Sequence, residues 1–308
     1  MKMVNALVLA GYGLNCDNET AYALELAGAS ARRVHINSLI DGSVSLDDFQ
    51  IMVFVGGFSW GDDHGAGVIQ AVRLKTNIGD KLLEFVDKGN LVLGICNGFQ
   101  TLVNLGLLPG FAGDYQTRSI ALTFNDCGNF RDDWVSLKVN PSSPCVFTKG
   151  FDFLEFPIRH GQRSEVSRLR KATPCQGDQR SGVRFDKIEL PIRHGEGKFY
   201  SDQVTIERLI KNNQVVIQYA LPDGNPAEGK FPFNPNGSIN DIAGICDPTG
   251  RIFGLMPHPE AFNHWTNHPN WTLDREIIKR SGKKPDSNLT TGIRIFKNGV
   301  DFIARKNH

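Results

Sequence analysis

The chain has 308 residues, 40% hydrophobic and 22% charged, which is long and apolar enough for a large α/β domain with a substantial core. Thirty-four Lys and Arg balance 33 Asp and Glu, so no overall field favours nucleic acid or an anionic membrane, and any partner must be recognised locally. No apolar run reaches membrane-spanning length, the N-terminal run is too short for a secretory signal, and the six cysteines show no CxxC pair and no His cluster at metal-ligand spacing. These features predict a cytoplasmic protein without a metal site or a disulfide framework.

The first hundred residues alternate two kinds of pattern. Residues 4–10, 31–36, 51–55 and 91–95 read as strands, and 18–29, 68–75, 78–89 and 97–106 as helices. Such alternation predicts βαβ units and a mostly parallel, doubly wound sheet covered on both faces. Beyond residue 110 the segments SIALTFND, DWVSLKVN, QVVIQYA and RIFGLMP read as strands with turns, so antiparallel additions to the sheet are expected. Near the end, apolar residues at 293, 296, 300 and 303 form a helical stripe that can close the fold. No linker is apparent, and the whole chain, 1–308, reads as one domain.

A short repeat interrupts this order. EFPIRHG at 155–161 recurs as ELPIRHG at 189–195, and residues 161–187 between them carry seven Lys or Arg against three acids. Only the second copy continues into GEGKFY; the first runs into a polar stretch with little apolar periodicity. Residues 156–189 are therefore read as an inserted, mobile loop, and 190–199 as a strand and loop beside a pocket.

The chemistry centres on VLGICNGFQTL, 92–102, where Cys96 stands between Gly94 and Gly98 at a strand-to-helix junction. G-x-C-x-G has the form of a nucleophile elbow, in which small neighbours allow a sharp turn to present the nucleophile. The sulfur would face a helix N-terminus, whose partial positive charge favours thiolate. Taken alone, the stretch is also compatible with a small buried hydrophobe at a strand end. LMPHPEAF, 255–262, supplies a base and an orienting group: Pro259 biases His258 to extended backbone, so His258 and Glu260 should project together from the end of a strand. FVGGFSWGD, 54–62, offers backbone N–H groups for an oxyanion hole, from Gly57 or Phe58, with Asn97 as the second donor. A Walker loop is absent, and Cys16 stands where a dinucleotide fingerprint starting at Gly11 needs its third glycine.

Together, GICNGFQ, GGFSWGD and MPHPE resemble class I, triad-type glutamine amidotransferases. GLNCDNE at 13–19, HGEGKF at 194–199 and the run NPNGSINDIAGICDPTGRIFGLMPHPE at 234–260 resemble, more narrowly, the glutaminase subunits of phosphoribosylformylglycinamidine synthases. The resemblance implies a flavodoxin-like domain with Cys96 as nucleophile, His258 and Glu260 completing a triad, and Gln100 helping to hold glutamine. Within 190–199, His194 and Glu196 are read as shaping the pocket wall rather than doing chemistry. The resemblance also implies no cofactor in this chain, with ATP and Mg used by a separate synthetase large subunit that receives the ammonia, and a small accessory subunit in the same complex. The first loop, GYGLNC, and the segment GDDHGAG depart from the family pattern, which bears on partner contacts and not on the triad.

Overall fold

The computed structural model describes residues 3–151, 187–280 and 289–306. Four strands alternate with helices at the start: β1 (Asn5–Ala10), α1 (Asp17–Leu26), β2 (Ser30–His35), α2 (Ile36–Ile40), β3 (Ile51–Phe54), α3 (Val68–Asp87), β4 (Leu91–Ile95) and α4 (Asn97–Leu105). The apolar runs IMVF and LVLGI are buried at every position, as parallel strands covered on both faces must be. The stretch read as two helices, 68–75 and 78–89, is one helix bent at Ile78, whose φ of −137° lies outside the helical region.

The later strands are β5 (Ala121–Thr123), β6 (Arg131–Val139), β7 (Lys187–His194), β8 (Lys198–Tyr200), β9 (Val215–Ala220), β10 (Ile242–Cys246) and β11 (Ile252–Leu255). Nine strands form one sheet in the order β2-β1-β3-β4-β11-β10-β9-β6-β7, while β5 and β8 make a separate antiparallel ribbon. The run β2-β1-β3-β4-β11 is parallel throughout and has the flavodoxin-like order. From β10 onward every pairing is antiparallel. The mostly parallel sheet with antiparallel additions is thus the architecture.

The helix Thr291–Lys306 buries Ile293, Phe296, Val300 and Ile303, the stripe read from the sequence. Four elements escape the sequence patterns: α2, β10, the helix Trp271–Arg280, and the helix Gln203–Lys211, which is capped by Asp202 accepting from the Thr205 N–H at 2.7 Å. Of the proposed insertion, 156–186 lies outside the described residues, as does the first PIRHG copy. Its expected end near Glu189 is corrected, because Lys187, Ile188 and Glu189 are already in β7, opposite Lys138, Leu137 and Ser136. No helix of the described residues is long and apolar enough to cross a membrane.

Candidate active site

The C-terminal ends of β3, β4 and β11 meet at one edge of the sheet, the edge where doubly wound folds gather their loops. Cys96 joins β4 to α4 with φ 52° and ψ −108°, a conformation that non-glycine residues rarely adopt. The flanking glycines are required by contact. A Cβ at Gly98 would lie 2.0 Å from the Phe54 carbonyl oxygen, and one at Gly94 2.8 Å from the Gly98 oxygen. The turn is held from the next strand, since the Cys96 N–H donates to the Leu255 oxygen at 2.8 Å. Cys96 itself is buried, with its Sγ 3.6 Å from the Arg193 oxygen at the end of β7.

His258 and Glu260 come together as expected, though by a different route. Residues Pro259–Ala261 form a turn of 3-10 helix with His258 at its N-cap, so the pair meets across a turn and not by alternation along an extended strand. His258 Nδ1 and Glu260 Oε1 are 2.6 Å apart, and both side chains are buried. A carboxylate can only accept, so Nδ1 carries a hydrogen, and Nε2 is the nitrogen left to take up and release the working proton. No hydrogen-bond partner for Nε2 exists among the described residues. Burial presses the His258 pKa down, but the Glu260 carboxylate and Cys96 outweigh it, and the net shift is well upward.

The imidazole is boxed in. A Cβ on Gly56 would come within 2.6 Å of His258 Cε1, and the His258 N–H donates to the Pro191 oxygen at 2.8 Å. Cys16 Sγ lies 4.0 Å from His258 Nδ1. Sequence spacing gave no hint of this second thiol, which the loop after β1 delivers from 242 residues away. Cys16, His258 and Glu260 have donor atoms within 4.8 Å of one another and so could hold a metal ion. The short His258–Glu260 hydrogen bond already occupies two of the three. Burial raises the Cys16 pKa.

The oxyanion candidates separate. The Phe58 N–H donates to the Gly13 oxygen at 2.9 Å and is not available, which corrects its place as a donor. Gly57 remains, and Asn97 opens α4, where the first N–H groups have no intrahelical acceptor. Gln100 is buried, and one N–H of its Nε2 donates to the Glu196 oxygen in the loop after β7. Glu196 Oε2 accepts from the Ala66 N–H at 3.4 Å. His194 is buried, and its pKa is held down at about 3 by burial, with the His258 charge adding to the effect.

Asp62 went unnoticed in the sequence as a site residue. It is half-buried at φ 54°, and its Oδ1 accepts from Asn97 Nδ2 at 2.9 Å, tying the loop after β3 to the elbow. Burial raises its pKa to about 6, with the Glu196 charge contributing against the Asn97 hydrogen bond. The NPNGS segment braces the loop after β7. Asn236 Nδ2 donates to the Gly197 oxygen at 2.7 Å and to the Tyr219 hydroxyl at 3.1 Å, and Ser238 Oγ accepts from the Phe199 N–H at 2.9 Å.

A strained cysteine beside a carboxylate-oriented imidazole and free backbone donors suits acyl transfer through a thioester. Comparison with known proteins identifies the family. A CobB/CobQ-like glutamine amidotransferase domain is matched over residues 3–175 and 180–303. A phosphoribosylformylglycinamidine synthase subunit PurQ of Methanococcus maripaludis is 43% identical over 97% of both chains, and one of Dehalococcoides mccartyi is 40% identical over 99% of this chain and 100% of the relative. The solved structure of PurLQS from Thermotoga maritima contains a chain that is 26% identical with a TM-score of 0.60, covering 98% of this chain and 100% of that one. The chain belongs to the CobB/CobQ-like glutamine amidotransferase family, among its PurQ subunits of phosphoribosylformylglycinamidine synthase.

Proposed function

We propose that this chain is the glutaminase subunit of a phosphoribosylformylglycinamidine synthase. The observation that carries the reading is the elbow: Cys96 at positive φ, bonded to β11 through Leu255, with the buried His258–Glu260 pair just beyond the end of that strand. In the proposed cycle His258 Nε2 holds the proton given up by the Cys96 thiol, the sulfur attacks the δ-carbon of glutamine, and the carbonyl oxygen becomes an oxyanion facing the Gly57 and Asn97 N–H groups. His258 Nε2 delivers a proton to the nitrogen, the C–N bond breaks, ammonia leaves and a thioester remains. Water, deprotonated by the same nitrogen, then cleaves the C–S bond to give glutamate and restore the thiol.

The ammonia goes to a separate synthetase large subunit, the site of ATP and Mg use, while this chain requires no cofactor of its own. A complex of that kind is what the name PurLQS describes for the Thermotoga protein, and a small accessory subunit joins it here by the same reading. The described thiols other than Cys96, namely Cys16, Cys127, Cys145 and Cys246, are also free, which suits a reducing cytoplasm. The chain is read as one domain, a reading supported by the nine-stranded sheet of the described residues, which draws on both halves of the sequence.

The test is Cys96→Ala in the assembled complex. Glutamine-dependent amidine synthesis should vanish while ammonia-dependent synthesis persists, because only the thioester route needs the sulfur. Loss of both in a well-folded complex would overturn the assignment.

A further inference from the structure

His194 lies outside the proposed triad, yet it is among the best-defined polar groups near it. Its strand, β7, runs along the site: the Arg193 oxygen is 3.6 Å from Cys96 Sγ, and the Pro191 oxygen accepts from the His258 N–H. The tautomer of His194 follows from Asn125. That amide donates from Nδ2 to two carbonyl oxygens, of Asn129 at 3.0 Å and of His194 at 2.9 Å, which fixes its orientation. Its Oδ1 accepts from the Gly197 N–H at 3.1 Å and faces His194 Nδ1, also at 3.1 Å. An oxygen so placed can only accept, so His194 Nδ1 carries the hydrogen and Nε2 is a bare lone pair.

That lone pair is buried and has no partner among the described residues, in a side chain only 3% exposed. A buried acceptor without a donor destabilises the fold, so its donor must come from outside the chain, from an ordered water or from a ligand that replaces it. Glutamine's δ-carboxamide carries two N–H donors that glutamate lacks. We propose that His194 Nε2 accepts an N–H hydrogen bond from the carboxamide of bound glutamine and, once the C–N bond breaks, from the ammonia released. This rests on the glutaminase reading above. Because the imidazole is neutral and bears no proton at Nε2, it holds the nitrogen without protonating it, and ammonia departs as the nucleophilic free base. Burial and the nearby His258 charge keep His194 in that state through the neutral pH range.

The competing account is a structural histidine, whose ring covers Gly197 so closely that a Cβ there would lie 2.5 Å from Nδ1. Glutamate γ-methyl ester separates the two, since it keeps the α-ammonium and the thioester route but has no N–H on its leaving group. In the complex, His194→Phe should lower kcat/KM for glutamine about tenfold and for the ester less than about twofold. An equal fall for both substrates, or no change in either, would overturn the proposal. Should that variant fail to fold, the Cys96→Ala chain with ¹⁵N-labelled histidine gives a second reading. The His194 Nε2 resonance should shift with glutamine and not with the ester, and a shift common to both, or none, would refute it. A wild-type complex that releases no glutamate from glutamine would instead sink the glutaminase reading itself.

Discussion

At the scale of single residues, the site is built from groups whose ordinary behaviour is suppressed by their neighbours. Glu260 holds the buried His258 by one short hydrogen bond, so an isosteric amide keeps the ring in place without stabilising its charge. Glu260→Gln should lower glutamine-dependent kcat by about two to four orders of magnitude while staying above the Cys96→Ala background, as glutamate-release assays on the complex can show. Asp62 has a folded-state pKa of about 6 against an ordinary 3.8. The folded chain therefore retains a proton there that the unfolded chain has released, so stability falls as pH rises across that window and levels off above it. Asp62→Asn should remove this slope. In calorimetric melts, the Tm advantage of the variant should grow between pH 4 and pH 6 and then stay constant. Local rules explain what was legible here: the flanking glycines of Cys96 are a steric requirement written in the sequence. Asp62 and Cys16 were not legible, because loops set their positions and their partners are distant. Phe58 was misjudged for the same reason, as its N–H goes to a carbonyl of the first loop.

Elements were readable where their periodicity was strong and self-contained. The first four strands, the elbow helix and the last helix match their patterns. The strand IAGIC is a short apolar run that could equally belong to a buried helix segment, and only its place between β9 and β11 decides. The helix Gln203–Lys211 was missed although it starts with a standard signal, Asp202 at the N-cap. Asp202→Ala leaves the Thr205 N–H without that acceptor, and should lower the urea midpoint with an unchanged m-value. The duplicated PIRHG shows the limits of pattern reading in another way. The sequence chose the second copy correctly as the strand beside the pocket, but put its start three residues late because Lys187 and Glu189 are polar on an outer strand.

For the molecule as a whole, the mouth of the site is rimmed by aromatic side chains that a lone chain would not be expected to expose together. Phe58 and Phe130 are about half exposed with ring centroids 6.1 Å apart, and Phe130 sits over Gly195 in the loop after β7. Phe231 is exposed beneath the Arg131 guanidinium, 5.1 Å from its ring centroid. This rim is suited to docking the synthetase, and docking is suited to completing the pocket. The free chain should accordingly turn over glutamine slowly and be activated in the complex. Phe58→Ser with Phe130→Ser should weaken association measured by ultracentrifugation without lowering the melting temperature of the free chain. Equal turnover with and without the synthetase would contradict this.

The placement of β11 has a temporal consequence. It enters the sheet between β4 and β10, and its Leu255 oxygen receives the Cys96 N–H. A ribosome making this chain finishes the elbow long before it reaches the strand that carries the base. At about 5–20 residues per second, His258 is polymerised roughly 10–30 s after Cys96. Throughout that interval β4 is an unpaired edge and the thiol has no imidazole beside it, so a nascent or truncated chain is chemically silent toward glutamine. The inserted strand thus acts as a completion check, coupling the first possible turnover to the closing of the sheet.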